Sequence, residues 1–464
     1  MRKNGEPQRF SDFSVEMVRP DGSAINPTTA SSEQHEGCAL RIRKDAVRTV
    51  AILGLAVGLL RGGEVVSAQI PCGGYEVTAI IQVDECPPFG FPPTLPRGMN
   101  DVGWVVGNIN ACVIGPNVAF LWTPEGGLEF IPMPPQTSWS RAVGISGSLI
   151  VGEFDNPNEL GRTGFLYDVE RDQFTSLGTL PGGNWSQARA INNKGEIVGF
   201  WGDVVKGPAP LAFIWRHGEM IDIHPDFGTP KSDANDINNN GLVTGWMGTS
   251  IATDARAFIW DDGKVTELPP IPGGFISSGT AINDRSQLAV GGRFNDDHPL
   301  GFTSGGFLWD AGQWTDLGML PGYDSMALTG LNDDGAVTGW SRDIQNGQHP
   351  DTGFIWQGGI MTNLNDLIPP ESQLQIQRAE GINASGQIAA RAVNAENDVV
   401  AVLLTPIQGP PGDLNNDCQV GAADLLILLS SWGPCDDCGN CPADLDSDCV
   451  VGGADLLTLL VNWG

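Results

Sequence analysis

Basic residues and histidines are scarce in this chain. Its 464 residues include 25 Lys and Arg against 55 Asp and Glu, which gives a formal net charge of −30. Nucleic acids and anionic membranes repel such a chain, so both are excluded as partners. The five histidines have no metal-ligand spacing, and a phosphate-binding loop and a G-x-S-x-G motif are both lacking. The sequence therefore leaves the catalytic residues, if there are any, unknown.

The chain also lacks an apolar run long enough to cross a bilayer. The run at 50–60 is shorter than the ~20 residues that a spanning helix needs. Four basic residues between 41 and 48 precede it, and the small residues Val66-Ser67-Ala68 follow. This pattern predicts a secretory signal over 1–68, cleaved near Ala68, rather than a membrane anchor. The long polar start leaves Met17 as an alternative initiator. The mature protein is expected outside the cell or at its surface, without a membrane span.

Nine cysteines are present, and eight remain after the signal. An even number in an exported chain favours disulfide bonds, although the sequence does not determine their connectivity. The segment CDDCGNC (435–441) has zinc-like spacing, but oxidising surroundings favour disulfides there as well.

One phrase recurs seven times. It is GMNDVGWVVG at 98, GISGSLIVG at 144, AINNKGEIVG at 190, DINNNGLVTG at 236, AINDRSQLAVG at 281, GLNDDGAVTG at 330 and GINASGQIAA at 381. Its period of 45 to 51 residues is typical of stacked repeats or propeller blades. The N-x-x-G turn within it predicts a hairpin, because Asn and Gly tolerate φ > 0.

Each period contains four short strands separated by turns, which predicts an all-β, seven-bladed β-propeller over 75–405. The seventh repeat lacks its fourth strand, and YEVTAII (75–81) has no repeat of its own. We expect this segment to complete the seventh blade and close the ring. A β-solenoid is the alternative, but it leaves both part-repeats unexplained. The Trp of the F-x-W strands are predicted to be core residues.

The position after the second strand's glycine varies most in character. If these side chains share one rim of the channel, they form a candidate ligand site comprising Glu153, Phe200, Trp246, Trp340 and Arg391. The alternative is that the aromatic members pack between blades.

The repeats resemble the HAF-type extracellular repeat family over roughly 97–405. LGTLPGGNWSQARAINNKGEIVG (177–199) carries the resemblance most closely. It implies an exported, propeller-like repeat protein, and the family has no established chemistry.

A Pro/Gly linker at 406–412 precedes two acidic loops, each followed by an apolar helix. Oxygen-bearing residues stand at places 1, 3 and 5 and a carboxylate at place 12, with a backbone carbonyl at place 7, as in calcium loops. The sequence therefore predicts a small all-α module over 413–464 with two Ca²⁺ sites. The ligands are Asp413, Asn415, Asp417, Gln419 and Asp424 in the first loop, and Asp444, Asp446, Asp448, Val450 and Asp455 in the second.

This tail resembles a type I dockerin, a module of two loop–helix halves that binds cohesin domains. By position, the resemblance implies partner contacts at Ala422, Ala423, Gly453 and Ala454. Place 6, normally a glycine with φ > 0, is Cys418 in one loop and Cys449 in the other.

Together these features favour a secreted, calcium-binding protein. Its tail is expected to dock onto a cohesin-like or other scaffold protein, and its propeller to bind a glycan or protein ligand. A polysaccharide-degrading hydrolase or lyase carried on the propeller is the alternative, and a surface-layer component is a third.

Overall fold

Seven four-stranded antiparallel sheets make up most of the structure. The computed structural model describes residues 74–83, 94–110, 117–157, 161–203, 205, 210–294, 304–344, 347–407, 409–415, 418–435 and 441–464. The signal predicted over 1–68 and the predicted ligand Asp417 lie outside these residues.

The strands follow the chain blade by blade. Strand β1 (Tyr75–Val83) comes first. Blade 1 comprises β2 Thr94–Met99, β3 Val105–Asn110, β4 Asn117–Thr123 and β5 Gly127–Phe130. Blade 2 comprises β6 Ser140–Ser146, β7 Leu149–Asp155, β8 Arg162–Asp168 and β9 Gln173–Gly178. Blade 3 comprises β10 Trp185–Ile191, β11 Ile197–Gly202, β12 Leu211–Arg216 and β13 Glu219–Asp222.

The later blades repeat this order. Blade 4 comprises β14 Lys231–Ile237, β15 Val243–Gly248, β16 Arg256–Asp261 and β17 Lys264–Glu267. Blade 5 comprises β18 Gly274–Ile282, β19 Leu288–Phe294, β20 Ser304–Asp310 and β21 Gln313–Asp316. Blade 6 comprises β22 Ser325–Leu331, β23 Val337–Arg342, β24 Thr352–Gln357 and β25 Ile360–Asn363. Blade 7 has β26 Gln375–Ile382, β27 Ile388–Val393 and β28 Val399–Pro406, and short 3-10 helices lie at His224–Phe227, Leu364–Asp366 and Pro370–Ser372.

The seventh blade takes its outer strand from the start of the described chain. Its sheet order is β1-β28-β27-β26, and β1 pairs antiparallel with β28 from Tyr75↔Pro406 to Val83↔Val399. The first strands of adjacent blades contact one another around the ring, including β2 with β26. The predicted seven-bladed propeller and its closing strand are therefore confirmed, and the solenoid alternative is wrong.

The F-x-W strands supply the core between the blades. Their phenylalanines, with an exposed fraction of 2% or less, are Phe120, Phe165, Phe213, Phe258, Phe307 and Phe354. The residue two positions later, Tyr167 after Phe165 and a tryptophan in the other five strands, packs into the same cluster. The prediction that these tryptophans are core residues is confirmed.

Steric crowding explains why the repeated position on the second strand is a glycine. A Cβ added to Gly245 would lie 1.9 Å from the Asp233 carbonyl oxygen, and one added to Gly199 would lie 1.9 Å from that of Gln187. In both blades a bulge in the first strand follows directly, after Ala234 and Ala188. Such a bulge bends the strand locally. A glycine therefore lets the two strands approach at the bulge.

The asparagine of the repeated turn links neighbouring blades. Its side-chain oxygen accepts backbone N–H groups of its own turn, as Asn238 Oδ1 does from Asn240 and Leu242 at 3.1 and 2.9 Å. Its amide nitrogen donates to a backbone carbonyl of the next blade. The six links, of 2.9 to 3.3 Å, run from Asn100 to Gly147, Asn192 to Asn238, Asn238 to Asn283, Asn283 to Asn332, Asn332 to Asn383 and Asn383 to Asn100. Blade 2 has Ser146 at this place.

These turns, which we call the asparagine mouth, surround one end of the central channel. They line a cavity of about 400 Å³ to which all seven blades contribute. The hairpin turn predicted from N-x-x-G therefore also joins neighbouring blades at six places.

Replacing one of these asparagines tests the interblade link. Asn238 is 4% exposed, so Asn238→Ala leaves two N–H groups and the Asn283 carbonyl without their partners. We expect a loss of about 3 kcal/mol in the free energy of unfolding, measured by denaturant titration. Asn240→Ala is the control, since this exposed neighbour makes one side-chain bond, to Asp284 O, and its loss should cost less than about 1 kcal/mol. Equal losses in the two variants would contradict the link.

The chain after the propeller forms two short helices, α1 (Ala422–Ser430) and α2 (Gly453–Val461). Two-residue strands β29 (Gly433–Pro434) and β30 (Val450–Val451) pair with each other, and Val420 bridges to Trp463. The loop of each half of the tail thus pairs with the segment that follows the helix of the other half. A small core forms around Val420, Leu428, Ala443, Val451 and Leu459. Among the described residues, no helix is long and apolar enough to span a membrane.

Candidate functional site

The five predicted rim residues occupy equivalent places in five blades. Each lies on the second strand, opposite a residue of the first strand in the same blade. The pairs are Glu153↔Arg141, Phe200↔Gln187, Trp246↔Asp233, Trp340↔Ala327 and Arg391↔Arg378. They therefore lie at one level along the channel, five residues before the asparagine position of the first strand, or its counterpart Ser146 in blade 2.

Their surroundings differ from blade to blade. Phe200 meets Trp185 edge-on at 4.7 Å, and Trp246 packs with Phe275 and Ile276 of blade 5. These two rings are 3% and 6% exposed. Trp340 is half-buried and has the guanidinium carbons of Arg342 and Arg378 at 4.8 and 4.3 Å from its ring centroid. The aromatic members thus contact neighbouring side chains and arginines, while a ligand role for them stays a prediction.

Arginines and carboxylates dominate this level of the channel. We call the set the arginine group. It comprises Arg97, Arg141, Arg189, Arg342, Arg378 and Arg391 with the carboxylates Glu153, Asp233, Asp351 and Glu380. Most members lie on first strands, three or five residues before the asparagine position. At ~3.3 Å per residue, this places them roughly 10 to 17 Å from the asparagine mouth.

Ion pairs satisfy part of this group. Arg141 donates to Glu153, which is fully buried. Arg189 reaches from blade 3 to Asp233 of blade 4 at 3.0 Å. Arg342 donates to both oxygens of Asp351 at 2.8 Å, and Arg378 donates to Asp351 Oδ2 at 2.8 Å. Two of these pairs join neighbouring blades, Arg189–Asp233 between blades 3 and 4 and Arg378–Asp351 between blades 7 and 6.

Glu380 lies among three arginines. Burial raises the pKa of its carboxyl, while the charges of Arg97, Arg378 and Arg391 act in the opposite direction. Burial also lowers the pKa of Arg97 and of Arg391, and repulsion from Arg378 adds to both effects. The Nε atoms of Arg141, Arg189 and Arg391 are buried and make no hydrogen bond within the described structure.

Sequence reasoning identified Glu153 and Arg391 but missed Arg97, Arg141, Arg189, Arg378 and Glu380. The available signal was the pair of places three and five residues before the repeated asparagine. These places hold unlike residues, for example Arg141 and Val143 in blade 2 and Arg378 and Glu380 in blade 7. A position that varies in an otherwise regular repeat is where a site can be built.

The tail contains the second candidate site. The carboxylate at place 12 is buried in both loops, with Asp424 0% and Asp455 1% exposed. Burial acts to raise the pKa of Asp455, but the backbone N–H groups of Gly452, Leu445 and Asp446 outweigh it and hold the pKa below its usual value. Asp424 is held in the same way by Gly421, Asn415 and Leu414. These ionised carboxylates connect each loop to its helix.

Three carboxylates converge in the second loop. Ligand atoms of Asp444, Asp446 and Asp455 all lie within 4.8 Å of one another. Partial desolvation raises the pKa of the exposed Asp446, and the charges of Asp448, Asp455 and Asp444 add to the effect. Asp448 is exposed and accepts the Val450 N–H at 2.8 Å. In the first loop, Asp413 accepts the Cys418 N–H at 2.9 Å, while Asn415 is half-buried and Gln419 exposed.

The residues at place 6 adopt the backbone of a glycine. Cys418 and Cys449 have φ of 68° and 69°, and both belong to disulfides. A further disulfide joins Cys435 to Cys441. In each loop the carboxylate at place 1 accepts the cysteine N–H. The departure at place 6 is thus one of residue type, and the loop conformation retains its left-handed turn.

The donor set of the second loop fits calcium. Ca²⁺ takes six to eight oxygen ligands and prefers carboxylates and backbone carbonyls. A divalent ion here would offset the repulsion among Asp444, Asp446 and Asp455. The predicted partner contacts Ala422, Ala423, Gly453 and Ala454 are all exposed.

No family model and no curated protein matches this chain. Among solved structures, the β-propeller domain of the Trilobed protease from Pyrococcus furiosus has 12% identity and a TM-score of 0.45, over 68% of this chain and 95% of that chain. A post-proline cleaving enzyme from Rickettsia typhi has 11% identity and a TM-score of 0.45, over 66% of this chain and 51% of that chain. These similarities are too low to support an activity, and the fold is established by the strand topology itself.

Proposed function

We propose that this is a secreted, calcium-binding propeller protein. Its tail (413–464) docks onto an extracellular or cell-surface protein, and its propeller binds a glycan or protein ligand. The observation that carries the calcium proposal is the convergence of Asp444, Asp446 and Asp455 within 4.8 Å.

Calorimetry on the mature chain tests the calcium proposal. Titration with Ca²⁺ should give two binding events, and a chelator should abolish both. Mg²⁺ is the control ion, because it demands a smaller, near-octahedral site and keeps several of its waters. Absence of calcium heat would contradict the proposal.

A duplicated apolar surface supports docking by the tail. Leu426 is 69% and Leu457 65% exposed, at equivalent places on α1 and α2. Further exposed apolar residues in the two halves are Leu429, Trp432, Leu460, Val461 and Trp463. Exposed apolar surface of this kind typically marks a protein contact.

A cohesin domain is the probe for docking, since the tail is similar to a dockerin. We expect calcium-dependent binding by the mature chain that is lost in a Leu426→Lys, Leu457→Lys double variant. Glu76→Lys, an exposed change on β1, is the control. If the cohesin binds neither with calcium nor with chelator, the proposal of a cohesin-like partner is wrong. The calcium proposal is then tested separately, by the Ca²⁺ titration.

A polysaccharide-acting enzyme is the second candidate, and the unlike charges around Glu380 favour it. A carboxyl with a raised pKa can act as a general acid, and arginines can neutralise an acidic sugar. The test is incubation with acidic polysaccharides, followed by assays for new reducing ends and for unsaturated products. Turnover by the wild type that Glu380→Gln abolishes would favour this candidate, and its absence would leave binding alone.

A further inference from the structure

Positive charge is concentrated at one place in an acidic protein. Only 16 Lys and Arg follow residue 69 in the sequence, and six of them are the arginines of the arginine group. Against them the group has four carboxylates, so its formal charge is +2 in a chain whose total is −30. The formal charge of the arginine group is therefore opposite in sign to the net charge of the whole chain.

The excess is located around Arg97 and Arg391. Arg141, Arg189 and Arg342 each have a carboxylate partner, and Arg378 shares Asp351 with Arg342. Arg97 donates only a long bond of 3.4 Å, from Nε to Asn108 Oδ1, and the buried Nε of Arg391 has no acceptor among the described residues. Glu380 is the carboxylate whose negative charge acts most strongly on both Arg97 and Arg391. Its burial disfavours the ionised form.

Positive charges that are held close together in a partly buried site favour the binding of an anion. Arg378 repels both Arg97 and Arg391, and this repulsion falls if a ligand carboxylate enters. Guanidinium groups match carboxylates because they donate two parallel hydrogen bonds. The side chain of Arg378 is 26% exposed, so the group is open to solvent at least in part.

We propose that the arginine group binds the carboxylates of an acidic oligosaccharide. This inference rests on the proposed glycan binding by the propeller and deepens it. Aromatic surfaces beside the arginines favour a sugar: Trp340 is half-buried beside Arg342 and Arg378, and the guanidinium carbon of Arg141 lies 5.8 Å from the centroid of the Trp139 ring. A uronic acid ring offers its C–H face to such a ring and its carboxylate to the arginine.

The experiment compares a galacturonic acid oligomer with its fully methyl-esterified form. Both are titrated into the mature chain without added calcium, because the acidic oligomer would itself bind the ion, at low and at high salt. We expect the acidic oligomer to bind and to weaken as salt rises, because screening reduces its attraction to the arginines. The ester should bind at least tenfold more weakly, since a hydrogen-bonded charge is lost.

Three variants locate the site. Arg97→Gln and Arg391→Gln should each weaken binding of the acid by roughly tenfold or more, and Arg391→Lys should restore part of the loss. Arg256→Gln is the matched control, since Arg256 is an exposed arginine paired with Glu267 on the outer part of blade 4. Its affinity should stay within about twofold of the wild type.

Each outcome has a distinct meaning. Equal binding of acid and ester would overturn the anion site and leave glycan binding in place. Binding of neither would overturn both, while calcium binding by the tail is decided by its own titration. Equal binding of polyglutamate would overturn the choice of a sugar. Variants that lower stability but not affinity would show that the arginine group only supports the fold.

Discussion

A chain lacking residues 75–81 is expected to aggregate and to lose its cooperative unfolding transition. Strand β1 is the outer strand of blade 7, and its removal exposes the edge of β28 (VVAVLLTP), six of whose eight residues are buried. An exposed apolar edge pairs readily with other chains. The ring also loses the hydrogen bonds that join its two chain ends.

Tyr75 accounts for much of this contribution. It is 1% exposed in the blade 7 core, and its N–H donates to Leu367 O at 2.7 Å. We expect Tyr75→Ala alone to cost roughly 3–5 kcal/mol, as large-to-small changes in a core do. Burial also raises the pKa of its hydroxyl, so this group stays neutral at ordinary pH.

Size-exclusion chromatography and thermal unfolding measure the effect of the deletion. Glu76→Ala is the control, because Glu76 is the exposed neighbour on the same strand and its loss should leave the transition nearly unchanged. A soluble, monomeric deletion variant with a single sharp transition would show that the ring does not depend on β1.

The second large effect is expected in the tail, where the second loop should bind calcium more tightly than the first. Its ligand set contains four carboxylates, Asp444, Asp446, Asp448 and Asp455, and the first has Asn415 at place 3. Ligand charge is one of the terms that set calcium affinity. Asp444→Ala should therefore cost more affinity than Asp413→Ala.

A reciprocal exchange makes this comparison sharper. Asp446→Asn gives the second loop the place 3 residue of the first, and Asn415→Asp does the opposite. We expect the first change to weaken the tighter site by roughly tenfold and the second to strengthen the weaker site. Calorimetry measures both, and an unchanged tighter site in Asp446→Asn would contradict the charge argument.

Calcium removal should unfold the tail and spare the propeller. The tail core consists of a few residues around Leu428 and Leu459, which is small for independent stability. Binding energy then becomes folding energy. Circular dichroism at the helical band should fall with chelator while the propeller transition keeps its temperature. A helical signal indifferent to chelator would mean that the disulfides and core suffice.

The sequence by itself determined the number of blades, the order of strands and the source of the closing strand. Each follows from a local pattern: a period of 45 to 51 residues, four apolar segments per period, and a strand at 75–81 without a repeat of its own. The prediction of the tail loops is equally local, since twelve consecutive residues contain all the predicted ligands of each loop. Such features need no knowledge of which distant residues meet.

Tertiary structure decided the rest. The amide of Asn383 meets the carbonyl of Asn100, 283 residues away, only because the ring closes. Arg97, Arg391 and Glu380 form one group because blades 1 and 7 become neighbours around the axis. The repeat period alone does not indicate which side chains of these two blades meet. Cys418 and Cys449 keep the left-handed turn of a glycine because an aspartate at place 1 accepts each N–H and both belong to disulfides. Residue type alone does not indicate this conformation, since a side chain usually disfavours φ > 0.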